Sequence, residues 1–493
     1  MIAATEAEVH ERLDADEVGV ALEFEGLNNQ VVLTGDVKNT RERVPVALIV
    51  ALHEAKMPAA AEVPSLNQHR AGRRAEPPLH QIGVGMSSVE GTDADTPSRD
   101  NRDMSSATPA VPLINWTEAG EERSALWRSE SGFAAPNRVA VVDDTLTADA
   151  AFRLVKAGTG LLWRGDYHNA RQLLQALGRR IDGGRRPKDA DLTQAFRRHR
   201  TEAARRAELL GLLLVPLEAD FGVPLRRAPD MRAACAETWG GTWGGTEAAD
   251  AAHGASVTSL RELIGIVGAH EWRRKGVAIA ALDDRIYAHY GVFSPVRGEY
   301  LELVAAAPLP DHSPPMVAFD IGTGTGVIAA ILARRGVARV VGTDQSPRAL
   351  ACARDNVARL GLSDRVEVVD ADLFPVGRAD LVVCNPPWIP ASAVTATDHA
   401  VYDPDNRMLR GFLDGLAGHL LPGGEGWLII SDIAERLGLR SRSMLLDLIE
   451  AAGLTVVTRL DTRPTHPRSV DSSDPLHAAR AAEVTSLWRL CAA

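Results

Sequence analysis

The 493-residue sequence holds only four cysteines, Cys235, Cys352, Cys384 and Cys491. They are scattered and form no C-x-x-C pair, which argues against a disulfide framework or a cysteine-built zinc site and leaves no metal expected. A reducing cytoplasm is the expected location. Long apolar runs are missing too. Stretches such as Leu209–Leu217 are too short to cross a bilayer, and Met1–Leu13 mixes acidic and apolar residues without the charged start or apolar stretch of a signal peptide. No membrane partner is expected. Basic residues are not in excess either. A formal net charge of −11 argues against a protein that coats DNA through general charge, although it leaves room for a local basic face.

Patterning divides the chain into four segments. Residues 1–53 form a small N-terminal extension in which the runs Val20–Phe24 and Gln30–Leu33 flank Gly26-Leu27-Asn28-Asn29, as in a hairpin. Residues 54–112 lack aromatics and are rich in Pro, Ser, Asp, Arg and Gly. Such a segment cannot bury enough apolar surface to offset its ordering entropy, so a disordered linker is expected. Met104, near its end, is a candidate natural start. Residues 113–300 carry helix-like periodicity at Ala148–Ala157, His168–Arg180 and Leu192–Leu214 and are expected to be a mainly helical substrate-recognition domain. Residues 301–493 form the last segment.

Arginine is dense in the third segment: Arg171, Arg179, Arg180, Arg185, Arg186, Arg197, Arg198, Arg200, Arg205 and Arg206. They make either a solvated helix face or a phosphate-contacting surface for nucleic acid. Two lookalikes carry no chemistry. His270-Glu271-Trp272-Arg273-Arg274 lacks the second histidine of a zinc-protease helix. The tandem Thr238-Trp239-Gly240-Gly241 and Thr242-Trp243-Gly244-Gly245 is too short for a repeat fold and reads as a loop.

From Met316 onward strand-like and helix-like runs alternate, which predicts an α/β fold with a parallel sheet covered on both faces. Strands are expected at Met316–Asp320, Arg339–Thr343, Val366–Val369, Asp380–Cys384, Trp427–Ile430, Leu454–Leu460 and Glu483–Leu490. Ser346 and Pro347 have the character of an N-cap and first helical position, with Gly361 ending that helix. Gly322, Gly324 and Gly326 lie between the first strand and the apolar run Val327–Ala333. Without side chains they permit positive φ and close approach of the backbone to a ligand. Read alone, the glycines also satisfy the dinucleotide pattern G-x-G-x-x-G/A, so an NAD(P)-binding oxidoreductase competes. Asp344, about twenty residues on, can accept both ribose hydroxyls in either case.

Asn385-Pro386-Pro387-Trp388 follows the fourth strand. With Asp320-Ile321-Gly322-Thr323-Gly324-Thr325-Gly326 upstream, it resembles the class I S-adenosylmethionine (SAM) dependent methyltransferases of the Asn-Pro-Pro-aromatic type. These act on adenine exocyclic amines or on release-factor glutamine and include the methyltransferase small domain. The resemblance covers about Met316–Leu490 and implies a Rossmann-like, doubly wound sheet. It also implies SAM as cofactor, with Asp320 near the methionine ammonium, Asp344 on the ribose and Asp372 or its neighbour Asp370 on the adenine amine. The catalytic candidates are Asn385, Pro386, Pro387 and Trp388. A planar nitrogen is a poor nucleophile because its lone pair is delocalised. Two acceptors, the Asn385 side-chain oxygen and the Pro386 carbonyl, would push that lone pair towards the methyl group. Consecutive prolines stiffen the carbonyl, and Trp388 offers a stacking face.

The expected activity is methylation of a planar nitrogen on a nucleic acid base, RNA before DNA. The alternative is a glutamine of a protein such as a release factor. Glutamine enzymes usually carry Tyr where this chain has Trp388. Gly291-Val292-Phe293-Ser294-Pro295 is either a linker or a cover for the pocket. His466, Asp474 and His477 are either acceptor-site residues or plain loop residues.

Overall fold

The computed structural model describes residues 21–25, 30–34, 112–183, 191–240, 254–296, 298–311, 315–393, 398, 400–464 and 474–493. Strands β1 (Ala21–Glu25) and β2 (Gln30–Thr34) pair with each other where the hairpin was expected. The expected linker lies outside the described residues except for Pro112.

The region after the linker begins with β3 (Leu113–Glu118) and β4 (Glu121–Arg128), antiparallel across Ala119-Gly120. Both turn residues have positive φ, 54° and 84°, which matches the right-handed twist of a two-residue hairpin. There follow β5 (Arg138–Val142), α1 (Ala148–Lys156), β6 (Thr159–Trp163), α2 (Tyr167–Asp182), α3 (Leu192–Gly211), β7 (Leu213–Leu217), α4 (Arg232–Trp239), β8 (Ser256–Ser259) and α5 (Leu260–Lys275). The strand order is β3-β4-β8-β7-β6-β5, and the sheet curls until β3 lies beside β5. The region is helix-rich as expected, but its helices rest on a six-stranded sheet that periodicity did not reveal. Two of the three helix expectations hold closely. The third, Leu192–Leu214, ends at Gly211, and its last residues begin β7. All five residues of β7 are buried, and a continuous apolar run carries no period to tell a strand from a helix.

The segment expected to start at residue 301 draws its core from further upstream. The short antiparallel strands β9 (Val277–Ile279) and β10 (Asp284–Ile286), the 3-10 turn Ala280–Leu282 between them and helix α6 (Glu299–Ala306) contribute Ile279, Leu282, Ile286, Tyr300 and Val304 to its main cluster. Then come β11 (Val317–Ile321), α7 (Val327–Arg334), β12 (Arg339–Asp344), α8 (Pro347–Arg359), β13 (Val366–Asp370) and β14 (Ala379–Cys384). They are followed by α9 (Arg407–His419), β15 (Leu420–Ser431), α10 (Ile433–Arg436), α11 (Arg442–Ala451), β16 (Leu454–Thr462), α12 (His477–Ala481) and β17 (Thr485–Ala492). The order is β13-β12-β11-β14-β15-β17-β16, parallel except for β17, which runs against both neighbours.

This is the sheet covered on both faces that the alternation predicted, doubly wound as the resemblance implied, and β14 shows why its strands read as continuous apolar runs. Leu381 and Val383 pack into one layer with α7 residues, whereas Val382 and Cys384 pack into the other with Leu409 and Phe412 of α9. A strand buried on both faces needs apolar side chains at every position. The order reverses between β11 and β14, which opens a crevice at their carboxyl ends.

Candidate active site

At the end of β11 the Asp320 carboxylate is almost fully buried. Its Oδ2 accepts from Thr323 Oγ1 at 2.6 Å and from the Ala329 N–H at 3.0 Å. Its Oδ1 is buried with no partner. Burial pushes this carboxyl up to about 6, the Asp344 carboxylate adds to the rise, and the two hydrogen bonds oppose it. Gly322, Gly324 and Gly326 follow with φ of 70°, 53° and 78°, all in the left-handed region that side chains disfavour. Two contacts add to this. A Cβ on Gly322 would sit 2.5 Å from Met408 Cε, and one on Gly326 would sit 3.3 Å from Ala353 Cα.

The glycine turn is tied to the next strand. The Thr323 N–H donates to the Thr343 carbonyl at 2.7 Å, and the Gly324 N–H donates to Asp344 Oδ2 at 3.1 Å. The other Asp344 oxygen accepts from the Ser346 N–H at 2.9 Å. Ser346 caps α8 through the Ala349 N–H, with Pro347 in the first turn. Asp344 also lies opposite Asp370 in the β12–β13 register. Asp372 is on the same edge but exposed. Its carboxylate takes Arg407 at 2.9 Å and the side-chain amide of Gln345, so an adenine amine would share it with an existing ion pair.

The β11–β14 register pairs Ile321 with Cys384, which sets Asn385 on the strand next to Gly322. Neighbouring strands lie about 4.8 Å apart. Trp388 Nε1 donates to Asn385 Oδ1 at 2.9 Å. The Trp388 ring is half-buried and packs against three apolar clusters. Part of the expected stacking surface is therefore covered by the protein's own side chains. After Pro390 the chain returns alongside itself: the Ile389 N–H donates to the Val401 carbonyl, and the Asp403 N–H donates to the Ile389 carbonyl at 2.9 Å. Asp403 then caps α9 through the Met408 and Leu409 N–H groups at 2.9 and 3.1 Å. That brings Met408 over Gly322.

One wall of the site was not foreseen. Leu192, Ala195 and Phe196 of α3 pack with Tyr402, Ile433 and Trp388. The Thr193 hydroxyl donates to the Leu437 carbonyl at 2.7 Å, and the Arg200 guanidinium lies 3.8 Å from the centre of the Tyr402 ring. The signal was present in the apolar spacing 192, 195, 196 on an otherwise polar helix, masked by the arginines around it.

The remaining candidates divide. Gly291–Pro295 is anchored to α8, where Val292 packs on Ala349 and Cys352. Asp474 pairs with Arg480 at 2.9 Å and accepts from the Leu476 N–H. His477 opens α12, and His466 lies outside the described residues. His270 Nδ1 is 2.6 Å from Glu237 Oε2, and among the described residues no cluster could hold a metal. No helix among them is long and apolar enough to cross a membrane.

Residues 284–436 match the family model of the methyltransferase small domain. The chain carries a methyltransferase small domain. The methyl donor of this family is SAM, which resolves the ambiguity of the glycine pattern against a nicotinamide cofactor. The domain is similar to the release factor glutamine methyltransferase of Cereibacter sphaeroides, 35% identical over 175 residues, covering 33% of this chain and 58% of that protein. It is also similar to the ribosomal protein L11 methyltransferase of Pelotomaculum thermopropionicum, 38% identical over 143 residues, covering 29% and 39%. A tRNA1(Val) (adenine(37)-N6)-methyltransferase of Porphyromonas gingivalis is 41% identical over 97 residues, covering 18% and 36%. The matched parts thus span at most 58% of these relatives. The residues of the methyltransferase small domain fit SAM: a buried carboxylate with an unpartnered oxygen suits an ammonium group, and the Asp344 carboxylate at the end of β12 is of the type that can accept a pair of hydroxyls.

Proposed function

We propose that this protein transfers a methyl group from SAM to a planar nitrogen, and that the acceptor is a nucleic acid base, RNA before DNA. The observation that carries the first part is the β11–β14 register, which sets Asn385 beside the glycine turn. Asp320 would hold the methionine ammonium, Asp344 the ribose, and the backbone of residues 322–326 the body of the cofactor. SAM supplies an electrophilic methyl carbon on a sulfonium.

The rest is done by the chain. Asn385 Oδ1 and the Pro386 carbonyl accept the two N–H bonds of the acceptor nitrogen and hold its lone pair in line with the methyl carbon. As the N–C bond forms at the expense of the methyl–sulfur bond, whose electron pair stays on sulfur, positive charge grows on the nitrogen, and both fixed oxygens stabilise it before one proton leaves to solvent. Pro386 and Pro387 hold the carbonyl rigid, so little reorganisation is needed during transfer.

The nucleic acid part is supported by arginines on α2 and α3. Arg180, Arg198 and Arg206 are committed to Asp149, Glu202 and Asp182. Arg171 and Arg179 on α2 and Arg197 and Arg205 on α3 are exposed, with no ion-pair partner found among the described residues. A glutamine acceptor is the second reading, favoured by the longer match to the release factor enzyme.

One experiment separates these. Purified protein is incubated with tritiated SAM and cell extract, which is then split into RNA, DNA, protein and small-molecule fractions. Label in RNA supports the proposal, and label in protein replaces the acceptor. Asn385→Ala should lose at least about a hundredfold in rate, the scale of a lost oxyanion-type donor or acceptor, while binding SAM normally. An active Asn385→Ala variant would defeat the mechanism.

A further inference from the structure

We infer that Trp388 is the positioning residue of the acceptor site. Its indole N–H locks the Asn385 amide in the orientation that presents oxygen to the acceptor, and helix α3 of the upstream region holds the Trp388 ring in place. This rests on Asn385 being the group that receives the acceptor nitrogen.

A carboxamide can present either its oxygen or its NH2 group by a half-turn of its end, and only its neighbours decide which. An indole nitrogen donates and never accepts. With Trp388 Nε1 at 2.9 Å from Asn385 Oδ1, the oxygen is on the indole side, and its second lone pair stays available for an N–H of the acceptor. The flipped amide would set its own N–H groups against the indole N–H, donor facing donor. Without Trp388's donor the two orientations become close in energy, and one of them turns an N–H towards the acceptor's N–H.

The clamp is stiff at both ends. Pro386 and Pro387 stand between donor and acceptor, and their locked φ angles limit how the spacing can vary. The indole is packed against residues of both layers of the sheet and against the cluster that contains Phe196 and Ala195 of α3. A tyrosine at this position has no donor at the place of the indole nitrogen. The orientation device therefore belongs to this chain's tryptophan, and α3 supplies part of the apolar cluster against which its ring is packed.

The first arm of the test reads the hydrogen bond directly and works whatever the acceptor is. The protein has nine tryptophans, so ¹⁵N-labelled protein gives up to nine indole N–H signals, and Trp388→Phe assigns one by its disappearance. In Asn385→Ala that signal should move upfield and exchange faster with solvent. A signal that stays in place overturns the hydrogen bond.

Turnover supplies the second arm, with tritiated SAM and whichever extract fraction takes the label. Trp388→Phe keeps an aromatic ring but removes the donor. It should lower kcat by about tenfold, the effect of one lost orienting hydrogen bond, with KM and SAM affinity within twofold. A purely structural role would lower the thermal midpoint and the active fraction and leave kcat per active site unchanged. Wild-type kcat in Trp388→Phe beside an inactive Asn385→Ala overturns the positioning role alone. Activity in Asn385→Ala overturns the mechanism on which it rests.

Discussion

At the scale of single residues, the site depends on buried groups whose charge state is not free. Asp320 has an ordinary carboxyl value of 3.8 that burial raises to about 6. A carboxyl raised in the folded state favours folding in its protonated form. Its contribution to stability is complete below about 3.8 and is lost as pH rises through about 6. Binding of an ammonium group runs the other way, because only the ionised carboxylate attracts it. Below pH 6 the proton must leave first. SAM affinity should therefore fall by up to tenfold per unit as pH drops below 6 and level off above it. Calorimetry from pH 5 to 7.5 checks this, with Asp320→Asn expected to bind weakly and without that slope. A flat wild-type profile would show that Asp320 does not meet the ammonium. Asp372 differs: the resemblance made it, or its neighbour Asp370, a candidate for the adenine amine, but the Arg407 pair that occupies it involves a residue well downstream, which sequence spacing does not reveal.

At the scale of elements, backbone conformation decides which glycines cannot be replaced. Gly326 opens α7 at φ 78° with the backbone of Ala353 at 3.3 Å from its would-be Cβ, whereas Gly361 ends α8 at φ 66° with nothing within 4 Å. Alanine carries the left-handed cost of about 1–2 kcal/mol at either site, but only at Gly326 must a neighbouring helix also move. Gly326→Ala should lose about 1 kcal/mol more than Gly361→Ala in denaturant midpoints. Equal losses would mean that α8 yields freely. Both glycines were legible because turn chemistry is local. So were the strands of the doubly wound sheet and the Ser346-Pro347 helix start. The upstream sheet was not legible. Pro216 sits inside β7, a place where proline argues against a strand, and the ladder to β6 pairs only up to Leu214, two residues before the missing N–H. Its strands β5 to β7 are short apolar runs, and only tertiary pairing tells them from helix.

At the scale of the whole molecule, α3 links the arginine-rich region to the chemistry. Arg206 is tied to Asp182 at 3.0 Å, while Thr193 near the other end is bonded to Leu437 beside the acceptor rim. About 20 Å of helix separates the two ties. Elsewhere Arg348, near the start of α8, makes a two-pronged bond to Glu130 at 2.6 and 3.1 Å, which fastens the upstream sheet to the helix that follows Asp344. The chain's net charge of −11 argues against attraction of nucleic acid by the molecule as a whole and favours phosphate contacts that are local. Arg197 and Arg205 lie two turns apart on α3. If the acceptor is RNA, replacing both with alanine should weaken its binding and reduce the slope of log affinity against log salt by about 1.4, the counterion release of two single-strand phosphates. Affinity for SAM should not change, because neither arginine is near Asp320 or Asp344 in the contacts described. Titrations between 50 and 200 mM salt, at about the range where such slopes are read, decide the matter. An unchanged slope would assign these arginines to solvent and return the choice of acceptor to the apolar rim of Trp388, Tyr402 and Phe196.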